Sequence, residues 1–233
     1  MMLRRMLGAL LLLGETLVSA AHGQMARPSA PNGVARLPVV TEVVNGRVEP
    51  GTYQGVQAVR LLPDADMKGK DAGMFGILDL PEFRNGTIEI QVAGKPAPSA
   101  APDSRGFIGV SFRTGEHGAW SEIFYLRPTN GRADDQVRRN HAVQYVSEPE
   151  WPWYRLRKEA PGVYESYADL VAGEWTRMRI EVDGVKARLY VNGATQPCLV
   201  VNDLKHGNGA GHIALWAYLD TDNWFGPITV TPR

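Results

Sequence analysis

Between Trp175 and Val191 the chain alternates apolar and charged residues through two runs joined by one tight turn, a pattern that admits little besides antiparallel sheet. In Trp175-Thr-Arg-Met-Arg-Ile-Glu-Val182 the apolar set Met178, Ile180 and Val182 interleaves with Arg177, Arg179 and Glu181, the two-residue period of a strand with one dry face. Asp183-Gly184 is a strong two-residue hairpin signal. Closing the chain on it pairs Val182 with Val185, Ile180 with Ala187 and Met178 with Leu189. The same register sets Glu181 against Lys186 and, unfavourably, Arg179 against Arg188. Met178, Ile180, Leu189, Val191, Ile213 and Leu215 are the expected inward-facing set.

Short apolar runs bounded by turn residues recur from about Gln57 to the C-terminus, and helical spacing is nowhere sustained. Strands at that interval favour a sandwich or barrel, because parallel βαβ units would need amphipathic helices between them. Residues 24–55 carry several prolines and read as a leader with one edge strand over Val39–Val44; residues 56–233 read as the β domain. The Pro/Ala/Ser stretch Gly94–Arg105 is a loop inside that domain, since neither side of it alone closes a core.

The N-terminus has the form of an export signal: a basic Met1–Arg5, a mainly apolar Leu7–Ala20, and small residues before a cut at Gln24. Residues 1–23 are thus expected to be removed, and the protein to be periplasmic or secreted. Glu15 interrupts the apolar run, so no stable membrane insertion is expected once the signal is gone. The 25 basic and 25 acidic side chains balance, which leaves no electrostatic footprint for nucleic acid. The single Cys198 has no internal partner for a disulfide and reads as a small apolar strand residue.

Several routes to chemistry are absent. The histidines lack metal-ligand spacing, no Gly-x-Ser-x-Gly elbow is present, and the glycine-dense 207–211 precedes a strand, so no metal or phosphate site is expected. Asp220-Thr-Asp-Asn223 could offer oxygens to a structural calcium ion, yet a turn has the same composition and is the preferred reading.

Between Trp120 and Trp175 flat aromatic residues mix with planar hydrogen-bonding groups. Saccharides are held by that combination, rings stacking on the apolar face of a pyranose while Arg, Gln and Glu satisfy its hydroxyls. Each residue singly is better explained as a rim or a solvated strand face. As a group, Arg113, Tyr125, Arg127, Gln144, Glu165 and Tyr167 can share one sheet face, walled by Trp151 and Trp153.

Gly106-Phe-Ile-Gly-Val-Ser-Phe-Arg113, Phe124-Tyr-Leu-Arg-Pro128, Gly173–Gly184, Tyr190-Val-Asn-Gly193 and Gly211-His-Ile-Ala-Leu-Trp216 resemble the strand succession of the concanavalin A-like lectin/glucanase superfamily. Within it the chain resembles laminin G-like domains and the 3-keto-disaccharide hydrolase (DUF1080) group of secreted bacterial proteins. The resemblance runs from about Gln57 to the C-terminus. It implies an all-β, two-sheet antiparallel jelly-roll sandwich whose concave face, in relatives, often binds glycans. It does not give a chemistry, because the superfamily holds binders and hydrolases.

The Glu-x-Asp-x-x-Glu strand motif of glycosidases in that superfamily is missing. Glu165 and Asp169 share parity but stand roughly 13 Å apart at about 3.3 Å per residue, beyond the roughly 5–9.5 Å of catalytic carboxyl pairs. A cross-strand pair of Glu122 with Glu165 is the remaining catalytic candidate, and Glu148 and Glu150 read as loop residues. Glycan binding is therefore the first reading, a glycoside hydrolase of the 3-keto-disaccharide type the second, and a protein-interaction sandwich the third.

Overall fold

The alternation translates into antiparallel sheet along nearly the whole chain. The computed structural model describes residues 33–67 and 69–233, so the expected cleavage site lies outside the described residues. Its strands are β1 (Val40–Val44), β2 (Gly46–Tyr53), β3 (Val56–Pro63), β4 (Gly73–Leu78), β5 (Gly86–Pro96), β6 (Ile108–Thr114) and β7 (Ser121–Leu126). They continue as β8 (Val143–Glu148), β9 (Glu165–Ser166), β10 (Thr176–Asp183), β11 (Lys186–Val191), β12 (Leu199–Val201), β13 (His212–Tyr218) and β14 (Thr221–Pro232). Two short helices, α1 (Gln136–Asn140) and α2 (Trp153–Glu159), interrupt them where no helical period is legible.

The expected two-sheet sandwich forms. A front sheet of seven strands runs β1-β4-β13-β6-β7-β8-β9, and a back sheet of seven runs β12-β11-β10-β5-β14-β3-β2. Alternate residues of the front sheet, among them Met74, Ile108, Phe112, Phe124 and Tyr145, meet Ile88, Ile90, Ile180 and Leu189 of the back sheet in one continuous core. The six residues expected to face inward from β10, β11 and β13 are all buried.

The hairpin register differs from expectation by two residues. Gly184 (φ 58°) and Val185 form the turn, so Asp183 pairs with Lys186, Val182 with Ala187, Ile180 with Leu189 and Met178 with Val191. The left-handed backbone falls on the glycine as the second half of Asp-Gly, and the turn sits one residue later than the dipeptide. The shift removes the anticipated repulsion. Glu181 now faces Arg188, and Arg179 faces Tyr190, over whose ring its guanidinium lies at 3.7 Å.

The sandwich also starts earlier than position 56. β1 is the expected edge strand, and β2, unforeseen because of Pro50, is the edge of the other sheet, a position where a missing N–H costs no ladder bond. Asn45 (φ 64°) separates the two and sends the chain from one sheet to the other. Asn223 spends both ends of its amide on the Leu61 backbone, at 2.8 and 2.9 Å, and Asp222 lies 3.5 Å from Lys95, so the 220–223 segment serves the sheet. Among the described residues no helix is long and apolar enough to cross a membrane, and no group of three or more His, Cys, Asp or Glu is placed to hold a metal ion.

Candidate functional site

Strand register lines up one row of residues across the front sheet, on the face turned away from the core. Reading from β4 to β9, the partners are Phe75, Trp216, Gly109, Tyr125, Gln144 and Glu165. Gly109 has a specific purpose. A Cβ there would meet the Phe124 carbonyl oxygen at 2.1 Å and Tyr125 Cβ at 2.8 Å, whereas its absence lets Tyr125 and Trp216 close over it with centroids 4.9 Å apart.

At the β8–β9 end of the row the polar side chains form one network. Arg127, just past β7, donates from Nη2 to Tyr125 Oη and Gln144 Oε1, both at 3.0 Å, and from Nη1 to the His141 carbonyl at 3.0 Å. Its Nη1 also lies 3.8 Å from Glu165 Oε2. Gln144 turns its amide N–H groups onto the Tyr145 and Tyr164 carbonyls. Arg157, projecting from α2, grips Glu165 with a two-pronged contact, Nη2 to Oε2 at 2.6 Å and Nε to Oε1 at 2.9 Å. His141 Nδ1 stands 2.7 Å from Glu165 Oε2 without the alignment of a hydrogen bond, and burial lowers its pKa despite that carboxylate.

These groups are not equally open. Tyr125, Arg127, Gln144 and Glu165 are buried, so they form a floor; the surface above it comprises Arg157 and His141, half-exposed, with Trp153 and Tyr167 exposed. Each of those two rings carries an arginine on one face, Arg157 over Trp153 at 4.8 Å and Arg139 over Tyr167 at 5.0 Å, and Trp153 also meets Tyr154 at right angles. The geometry offers flat apolar surface beside fixed cationic donors.

Three expected members fall elsewhere. Arg113 lies at the far end of β6 with φ 50°, a left-handed conformation that turns it away from the row. There it is 1% exposed and donates to the carbonyls of Arg84 (2.8 Å), Gly184 (2.7 Å) and Gly207. Trp151 sits past the end of β8, packed under Arg155 and Lys205. Glu122 faces the core, where its carboxylate accepts from Tyr145 Oη and from the His206 N–H at 2.8 Å. Glu122 and Glu165 therefore occupy opposite faces of the sheet and do not form a catalytic pair.

A carboxyl assigned to a loop belongs on this face instead. Glu148 ends β8 in the same alternation as Gln144, half-buried, and with Glu150 nearby. Burial, reinforced by Glu150, pushes its pKa from 4.5 up to about 7. With the folded value above the unfolded one, the native state holds the extra proton, so Glu148 costs nothing below 4.5 and its penalty grows to completion as pH rises through about 7. Glu148→Gln should accordingly match the parent in Tm at pH 4.5 and exceed it at pH 8; equal melting at both values would show that Glu148 is fully hydrated.

No family model matches the chain, and no curated protein does. Solved structures do. The carbohydrate-binding module CBM66 of Bacillus subtilis superposes with a TM-score of 0.53 at 14% identity, over 82% of this chain and 92% of that one. The fold is the concanavalin A-like sandwich. The Emp46p carbohydrate recognition domain (TM-score 0.48, 11% identity, 80% of this chain and 88% of that one) is also similar. So is a protein named as a putative glycosyl hydrolase from Parabacteroides distasonis (0.47, 11%, 79% and 90%). In this sandwich the row from Phe75 to Glu165 is the outer face of the front sheet.

Proposed function

We propose that the protein is an exported glycan-binding sandwich, with its binding surface at the β8–β9 end of the outer front face. The observation that carries this reading is the pair of exposed rings, Trp153 and Tyr167, each backed by an arginine and set on a buried Arg127–Gln144–Glu165 floor. A pyranose lying on either ring meets guanidinium donors beside it, the pairing that saccharide recognition requires. The structural similarity to a carbohydrate-binding module supports the reading at the level of the fold. The basic, apolar and small-residue sequence of residues 1–23 supports export.

A glycan array with the mature chain tests the proposal, followed by titration of the best ligand against Trp153→Ala and Tyr167→Ala. Both rings are exposed, so each variant should fold within about 0.5 kcal/mol of the parent while losing about 1 kcal/mol or more of binding. Unchanged affinity in both variants would place binding elsewhere.

Hydrolysis is kept as a second reading on one observation, the half-buried Glu148, whose pKa near 7 suits a general acid. Against it, Glu148 lies four residues along β8 from Gln144, the partner of Glu165, roughly 13 Å at about 3.3 Å per residue. Turnover of an array hit that is abolished by Glu148→Gln would establish the hydrolase.

A further inference from the structure

Beyond the two aromatic rings, the loops around the site bring together arginines that form no direct ion pair. Arg138 and Arg139 lie on α1, Arg105 precedes β6, and the Thr129 N–H meets the Arg105 carbonyl at 3.5 Å, joining that loop to the one after β7. Arg138 is held over the same loop by Asn130, with Nε and Nη2 each 3.4 Å from Oδ1, and Arg139 donates to Tyr167 Oη at 3.1 Å. None of Arg105, Arg138 and Arg139 has a carboxylate oxygen within 4.0 Å among the described residues. The acids nearby are engaged or solvated. Glu165 is gripped by Arg157, Asp169 by Arg132 at 2.7 Å, and Asp135 caps α1 through the Arg138 N–H, while Asp103 and Asp134 are exposed to water. Burial first, then the neighbouring Arg138, pulls the pKa of Arg105 below the ordinary arginine value, with Asp103 acting in the opposite sense.

We infer that the site selects acidic saccharides, a uronic acid carboxylate being received by Arg138 and Arg139 beside the Tyr167 ring. The inference rests on the glycan-binding reading and narrows it. Carboxylate is preferred to other anions because the guanidinium fork matches its two oxygens, as the Arg157–Glu165 contact within the same site already does. A neutral glycan would leave Arg138 beside Arg105 without an added anion, whereas a uronate supplies that charge without any rearrangement of the floor.

Polygalacturonate and its fully methyl-esterified form differ in charge and share a backbone, so they isolate the effect. The mature chain should bind polygalacturonate at least tenfold more tightly than the ester, with affinity falling as NaCl is raised from 0.05 to 0.5 M, since partly exposed charges are screened over about a Debye length. Arg138→Gln combined with Arg139→Gln should weaken polygalacturonate about tenfold or more, the loss of charge-assisted hydrogen bonds, with Tm unchanged; lysine at both positions should recover part of it. Equal binding of acid and ester would overturn the charge selection while leaving glycan binding intact. Binding of dextran sulfate without polygalacturonate would overturn the carboxylate assignment. Failure to bind any polysaccharide, neutral or acidic, would instead remove the glycan-binding reading itself.

Discussion

Replacing Glu165 by alanine is expected to destabilise the fold by about 3 kcal/mol, the lower end of what removing one member of a buried ion pair costs. Glu165 is 3% exposed and Arg127 6% by side chain, so the variant would leave Arg127 buried with only neutral partners. Arg157 is 34% exposed, and water compensates it for much of its loss, which keeps the estimate at the lower end. Glu165→Gln should recover part of the loss by keeping an acceptor for the Arg157 fork. Denaturant unfolding measures both. A loss below about 1 kcal/mol for Glu165→Ala would mean that the pair is screened and that packing alone orders the floor.

The second large effect belongs to the core. Ile180 is fully buried in the middle of β10, opposite Leu189 on one side and Ile88 on the other, so Ile180→Ala should cost about 2–5 kcal/mol. Binding of glycan at saturating concentration should survive, because Ile180 is on the back sheet and touches nothing at the β8–β9 end. If the variant lost binding while remaining folded, the two sheets would be coupled in a way that the contacts of Ile180 do not provide.

Alternation made most of the sandwich legible. The charges on one parity of β10 and β11 and the aliphatics on the other defined the buried face even though the hairpin register was displaced, because a shift of two residues preserves parity. The same rule joins Tyr125, Gln144 and Glu165, and it also held the correction to Glu122, which shares the parity of buried Phe124 and cannot share a face with Tyr125. Glu148 was recoverable likewise, four residues after Gln144. What parity could not show was Arg113, whose positive φ breaks the alternation at a single residue, or the helix Trp153–Glu159, too short to display a period. Nor does a sequence reveal depth: Arg127 was expected to meet ligand, and the structure places it beneath Arg157 and His141, bonded to its own neighbours.

Arg113 gives the molecule two unlike poles. One guanidinium gathers carbonyls from segments around Arg84, Gly184 and Gly207, so three connections remote in sequence are tied to one side chain at the end of β6 away from the candidate site. Those connections are thereby tied together from below, while the loops above Tyr125 are held by their own contacts, the Asn130 amide and the Arg127 guanidinium both donating to the His141 carbonyl. Such a division lets changes in the upper loops, 97–105 and 128–141, leave the far end undisturbed, whereas lengthening the connections that Arg113 holds would strain a knot that Asn85, through the Gly184 N–H, and the paired Phe83 and Gly211 backbones also close. The chain is built as a fixed base with a replaceable crown.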